Sequence, residues 1–139
     1  MAVYTEVSNE ELEYFVSAYE IGKVISFKGI AEGVENSNYM LQTDFNRYIL
    51  TIYEKRVKIE DLPFFLGLMN HLADKGIPCP TPLPGKDGHI LGELSGKPAA
   101  IVTYLDGISP KTLTTHHCAQ LGEAIARMHK ASEDFPMKR

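Results

Sequence analysis

The stretch Lys28 to Leu41 reads KGIAEGVENSNYML, and its residue types suit one kind of chemistry. Gly29 and Gly33 are followed by the small polar residues Asn36, Ser37 and Asn38. A glycine lets the backbone come close to a phosphate, and successive amides of such a loop can point at its oxygens. Strand-like sequence lies on both sides, so an ordinary hairpin turn fits the same residues. There is no G-x-x-x-x-G-K-S/T, which excludes a Walker A loop. Gly33 opens no helix, so the dinucleotide-binding fingerprint is absent as well.

A glycine loop between two antiparallel strands is the device with which kinases cover nucleotide phosphates, and it needs a cation beneath it. The strand RYILTIYEK offers Lys55 at its end, with Arg56 next to it. Period-two alternation puts Lys55 on the same face as Thr51. A solvated, charged strand end accounts for the same two residues.

Other chemistries find less support. His116, His117, Cys118 and His129 contain no H-E-x-x-H or C-x-x-C spacing, and adjacent helical residues point in different directions. Cys118 reads as a core residue and Cys79, between two prolines, as a packed one. No G-x-S-x-G marks a hydrolase nucleophile. The acidic pairs Glu10-Glu11 and Glu60-Asp61 stand at helix starts, where the helix dipole explains them.

The elements that must position the loop follow from periodicity. Ser8 and Glu11 make a capping box, and Leu12, Phe15, Val16 and Tyr19 fall on one helical face. That predicts a first helix ending near Gly22. Lys23 to Ile30 reads as a strand with Ile25 and Phe27 on one side. Asn38 to Thr43 and Arg47 to Lys55 read as two more, turning at Asp44-Phe45-Asn46. Leu62 to Lys75 is a helix with Pro63 in its first turn, and Leu62, Phe65, Leu66, Met69, Leu72 and Ala73 form its buried stripe. Prolines 78, 80, 82 and 84 force an extended connector. His89 to Leu91 and Pro98 to Leu105 form a hairpin around Ser95-Gly96, and Thr114 to Ser132 a last helix. Asp134 to Arg139 trail off with no further element. The expected fold class is α+β: an antiparallel sheet of about five strands with flanking helices.

The chain has 139 residues, 44% hydrophobic and 23% charged, with a formal net charge of -4. This suits a globular domain and provides no basic surface for nucleic acid. No apolar run is long enough to span a membrane. The start MAVYTEVSNEE lacks the basic and apolar segments of a signal peptide, which points to a cytoplasmic setting.

Taken in order, the glycine hairpin, RYILTIYEK, LADKGIPCPTPLP, AAIVTYLDG and LGEAIARMH resemble the aminoglycoside phosphotransferase and choline kinase family, which has a protein-kinase-like fold. KGIAEGVENSNYML with LPFFLGLMNHLADKGIPCP resembles the bacterial homoserine kinases of that fold. The resemblance implies a nucleotide-binding lobe over residues 1–105, then a crossing and the start of a second lobe over 106–139. It implies a phosphate loop from Gly29 to Ser37, with Gly29, Gly33, Glu35, Asn36 and Ser37 as nucleotide contacts. Thr103, Tyr104 and Leu105 would be the hinge that follows the adenine ring. The implied reaction moves the γ-phosphoryl of ATP, with Mg2+, to the hydroxyl of L-homoserine.

Two features depart from the pattern that the resemblance implies. Relatives often carry Lys or Arg where this chain has Thr51, and Lys55 is then the substitute cation. They also place a Glu inside the next helix, where this chain has Phe64, Phe65 and Leu66. The family's H-x-D-x-x-x-x-N loop is absent: none of the five histidines has Asp two residues on. The expectation is therefore the nucleotide-binding portion of a longer kinase, inactive alone and with its magnesium ligands elsewhere. Two alternatives stay open: a kinase of this fold for another small hydroxyl or amine substrate, or a noncatalytic nucleotide- or partner-binding domain.

Overall fold

A computed structural model of the chain describes residues 4–139, so the first three residues of the N-terminal stretch lie outside it. The elements are α1 (Asn9–Ser17), β1 (Val24–Gly29), β2 (Ser37–Thr43), β3 (Arg47–Ile52), α2 (Leu62–Asp74), β4 (Gly92–Leu94), β5 (Lys97–Thr103) and α3 (Thr115–Ser132). A short 3-10 turn at Ile59–Asp61 leads into α2. All five strands pair antiparallel in the order β1-β2-β3-β5-β4, so the expected α+β architecture is borne out.

Strand alternation divides the sheet into two faces. Tyr39 and Leu41 of β2, Leu50 and Ile52 of β3, and Ala99 and Ile101 of β5 pack with Leu12, Phe15, Val16 and Tyr19 of α1. Burying such side chains contributes roughly 1.5–3 kcal/mol each, enough to fix the register. Ser8 caps α1 through the expected box with Glu11, although the helix proper stops at Ser17 rather than near Gly22. The opposite face carries Asn38, Met40, Thr51, Ala100 and Val102. Ala100 and Val102 are buried there, and Leu62, Leu66 and Leu72 of α2 are buried as well.

Several sequence expectations need correction. Ile25 and Phe27 do not share a face. The pairing register jumps between Val24 and Ser26, so Ile25 is an extra, exposed residue while Phe27 turns inward against Tyr39. The strand from Arg47 ends at Ile52, not Lys55, which lies in the following turn. Phe65 is exposed, with the Arg139 guanidinium 5.1 Å over its ring. The first strand of the late hairpin starts at Gly92, not His89, and Cys118 is exposed rather than in the core.

The C-terminal residues form no element, yet they do not trail off. Asp134 receives hydrogen bonds from Lys75 Nζ at 2.5 Å and pairs with His71 Nε2 at 2.9 Å. Phe135 packs edge-on to Phe64, with ring centroids 5.4 Å apart, and Arg139 Nε donates to Asp61 Oδ2 at 3.0 Å. This segment straps α2 along its length.

The proline connector is a further edge of the sheet. Leu83 N donates to Ile101 O at 2.9 Å, Thr103 N to Thr81 O at 3.0 Å, and Pro82 bridges Val102.

Candidate functional site

The glycine stretch is a hairpin loop that joins β1 to β2 and is closed by Ile30 N donating to Asn38 O at 2.8 Å. Gly33 has φ +113°, a backbone conformation that side-chain-bearing residues rarely adopt. No backbone N–H of residues 31–36 bonds to another described residue. Residues 31–35 are exposed. The loop thus presents unpaired amides, which is what an anion-binding concavity requires.

The residues expected in the loop have divided roles. Gly29 ends β1 opposite Tyr39, and Glu35 is exposed. Asn36 Oδ1 accepts from Glu54 N at 3.3 Å. Ser37 turns away, to the α1 face. Its hydroxyl donates to Glu54 Oε1 at 2.7 Å and accepts from the N–H groups of Tyr4 and Thr5 at 2.8 and 3.0 Å. That hydroxyl is spent on anchoring the loop.

Glu54 is the centre of this anchor. Thr5 Oγ1 donates to its Oε1 at 2.6 Å, and Lys97 Nζ reaches its Oε2 at 2.5 Å. Burial pushes its carboxyl up, but the bonds from Lys97, Thr5 and Ser37 and the Lys97 charge outweigh that and hold it below the usual value. Lys55 follows Glu54 and, with Tyr4, Val34, Glu35 and Arg56, lines a shallow depression outside the loop.

On the other sheet face stand Thr51, Asn38 and Lys28, of which sequence reasoning passed over Lys28 as a site residue. Thr51 Oγ1 donates to Asn38 Oδ1 at 2.8 Å, bridging β3 and β2. A Cβ placed on Gly33 would lie 3.7 Å from Asn38 Nδ2, so that amide sits against the loop. Lys28 pairs with Met40 and shares this face. The signal was in the alternation of SNYMLQT: with Tyr39 and Leu41 inside, Asn38 and Met40 must face out.

The residues expected at the hinge end and follow β5. Thr103 is already engaged, its N–H and its Oγ1 both bonded to Thr81. The N–H groups of Tyr104 and Leu105 bond to no other described residue. Arg47 steadies this segment, its guanidinium 4.8 Å from the Tyr104 ring centroid and 3.1 Å from Asp106 Oδ1.

Among the described residues no group of three or more His, Cys, Asp or Glu side chains could hold a metal ion. The helix histidines have another use: His117 completes the N-terminal cap of α3 with Thr114. None of the described helices is long and apolar enough to cross a membrane.

Comparison with known proteins agrees with this geometry. The phosphotransferase enzyme family, APH, matches residues 26–139. All 139 residues align at 62% identity with a homoserine kinase of Paramagnetospirillum magneticum, and at 58% with one of Parvibaculum lavamentivorans. The chain spans 43% of the length of each of these relatives. Among solved structures, a spectinomycin phosphotransferase in complex with ADP and spectinomycin superposes with a TM-score of 0.70 at 14% identity, over 92% of this chain and 39% of that one. A microcompartment-associated aminopropanol kinase gives 0.71 at 17%, over 94% and 42%. The glycine hairpin, the five-stranded sheet and the segment leaving β5 are thus parts of a protein-kinase-like fold, and the chain belongs to the phosphotransferase enzyme family.

Proposed function

We propose that this chain is the nucleotide-binding portion of an ATP-dependent homoserine kinase, which moves the γ-phosphoryl group of ATP to the hydroxyl of L-homoserine. The observation that carries this reading is the alignment of every residue with homoserine kinases at up to 62% identity. Residues 1–105 form the nucleotide lobe, and 106–139 cross to and begin a second lobe. The unpaired amides of the loop receive the phosphates, with Gly29 and Gly33 allowing close approach. Glu35 and Asn36 flank them, and Ser37 serves by anchoring. The backbone of Tyr104 and Leu105, with Thr103 behind them, follows the adenine ring.

Magnesium belongs to the same reading, with its ligands assigned to the rest of the full-length gene product, which would act in the cytoplasm. Positioning and electrostatic stabilisation do most of the work in such a transfer. The test is ADP formation by the full-length gene product against homoserine, choline, an aminoglycoside and a fructosamine. Homoserine-selective turnover is expected, while the 139-residue chain binds ATP without turning it over. Selectivity for another acceptor would replace homoserine and leave the nucleotide reading standing. Homoserine-dependent ADP release by the 139-residue chain would overturn the assignment of catalysis to the rest of the protein.

A further inference from the structure

We infer that Lys28 and the Thr51–Asn38 pair form the phosphate subsite on the sheet face beneath the glycine loop. Lys28 supplies the charge, Asn38 supplies a fixed neutral donor, and Thr51 is a positioning residue. The inference rests on the nucleotide reading above.

The register fixes the face. Phe27 lies against Tyr39 with ring centroids 5.7 Å apart, on the α1 side. Lys28, next in the strand, therefore faces the other way, paired with Met40. Asn38 is two residues along β2 on that same face and pairs with Thr51. Diagonal neighbours on one sheet face are within reach of a long side chain. Lys28 is exposed and has no ion-pair partner among the described residues.

The Asn38 amide is oriented. Its oxygen accepts from Thr51, which leaves Nδ2 as the group that faces the loop, next to Gly33. A donor held in place costs less to engage than one that must be ordered on binding. The polar Thr51 is thus accounted for by its bond to Asn38.

Lys55 is a weaker candidate. It shares its depression with Tyr4 and Glu54, and Glu54 is bonded to Ser37 and Thr5 on the α1 face. The acids of the loop are Glu32 and Glu35. Glu35 lines the same depression as Lys55 and Arg56, and Glu32 is exposed to solvent.

The experiment is competitive binding of ATP, ADP and adenosine to the full-length gene product and to K28M, N38A, T51V, N38A/T51V and K55M. Loss of a hydrogen bond to a charged group corresponds to a loss of about tenfold or more. K28M is expected to weaken ATP by about tenfold or more and leave adenosine unchanged. N38A and T51V are each expected to weaken ATP by about threefold to tenfold, and the double variant no more than N38A, because Thr51 acts through Asn38. K55M is expected to bind like wild type. Thermal midpoints report on folding, and the exposed Lys28→Met change should leave its midpoint unmoved. A wild-type ATP-to-adenosine ratio in K28M, or a loss confined to K55M, would overturn the subsite while the nucleotide reading survives. Wild-type protein that binds neither ligand would remove both.

Discussion

The ammonium of Lys97 lies 2.5 Å from Glu54 Oε2, tying the first residue of β5 to the segment that follows β3. Glu54 is only 10% exposed, and Thr5 and Ser37 bond to its other oxygen. Lys97→Met would leave that carboxylate nearly buried without its cation. It is expected to cost about 2–3 kcal/mol, and Glu54→Gln less, about 1–2 kcal/mol, because the amide keeps an acceptor for Thr5 and Ser37. Chemical denaturation of both variants and of the double variant measures the coupling. Additive losses would show that the pair acts independently.

Stability should fall at both ends of the pH range. Glu54 has a folded pKa below its ordinary 4.5, so its contribution is complete above that value and is lost as pH falls through the folded one. Tyr19 is pushed up to about 12, by burial first and then by the charge of Asp87. Its contribution is complete below its ordinary 10.0 and is lost as pH rises towards 12. Thermal midpoints across pH check this: E54Q should flatten the acid limb and Tyr19→Phe the alkaline limb.

The strap along α2 can be weakened at one residue. Phe135 is half-buried, edge-on to Phe64 and 5.2 Å from the His71 ring. Phe135→Ala is expected to cost about 1–2 kcal/mol, less than for a fully buried phenylalanine, and to lower the thermal midpoint by about 3–6 °C. Asp134 is 60% exposed, so Asp134→Asn should lower the midpoint less than Phe135→Ala does, despite its two partners. Calorimetry separates the two.

Arg47 and Asp106 are 46% and 85% exposed, so their ion pair adds little to stability. Arg47→Met is expected to change stability by under about 1 kcal/mol. Its effect should appear in binding, because Arg47 steadies the segment that carries the free amides of Tyr104 and Leu105. Adenosine affinity of the full-length gene product is expected to fall by about threefold, as for losing one weak contact. An unchanged affinity would remove Arg47 from the hinge.

Much of the fold was legible because local signals and the global pattern agreed. The Ser8–Glu11 box, the alternation in RYILTIYEK and the Ser95-Gly96 turn each specify one structure. The bulge at Ile25 was not legible, since one extra residue in a strand leaves no mark on composition. The docking of Phe135 and Arg139 on α2 depends on contacts across some seventy positions of sequence, which periodicity does not register. In the site, the hairpin position of the glycine loop, between two antiparallel strands, could be read from the residues. The alternation of SNYMLQT gives the faces of Ser37 and Asn38, but not their bonds to Glu54 and Thr51, because those partners lie on another element and periodicity does not register them.

The alternation of prolines in the connector bears on how the protein behaves at high concentration. Thr81 and Leu83 turn their N–H groups towards β5. Pro80, Pro82 and Pro84 alternate with them, at the positions where an N–H would face outward. That rim of the sheet can accept hydrogen bonds but not donate them. A strand from a second molecule would find half of every ladder missing, so edge-to-edge aggregation has no foothold along it.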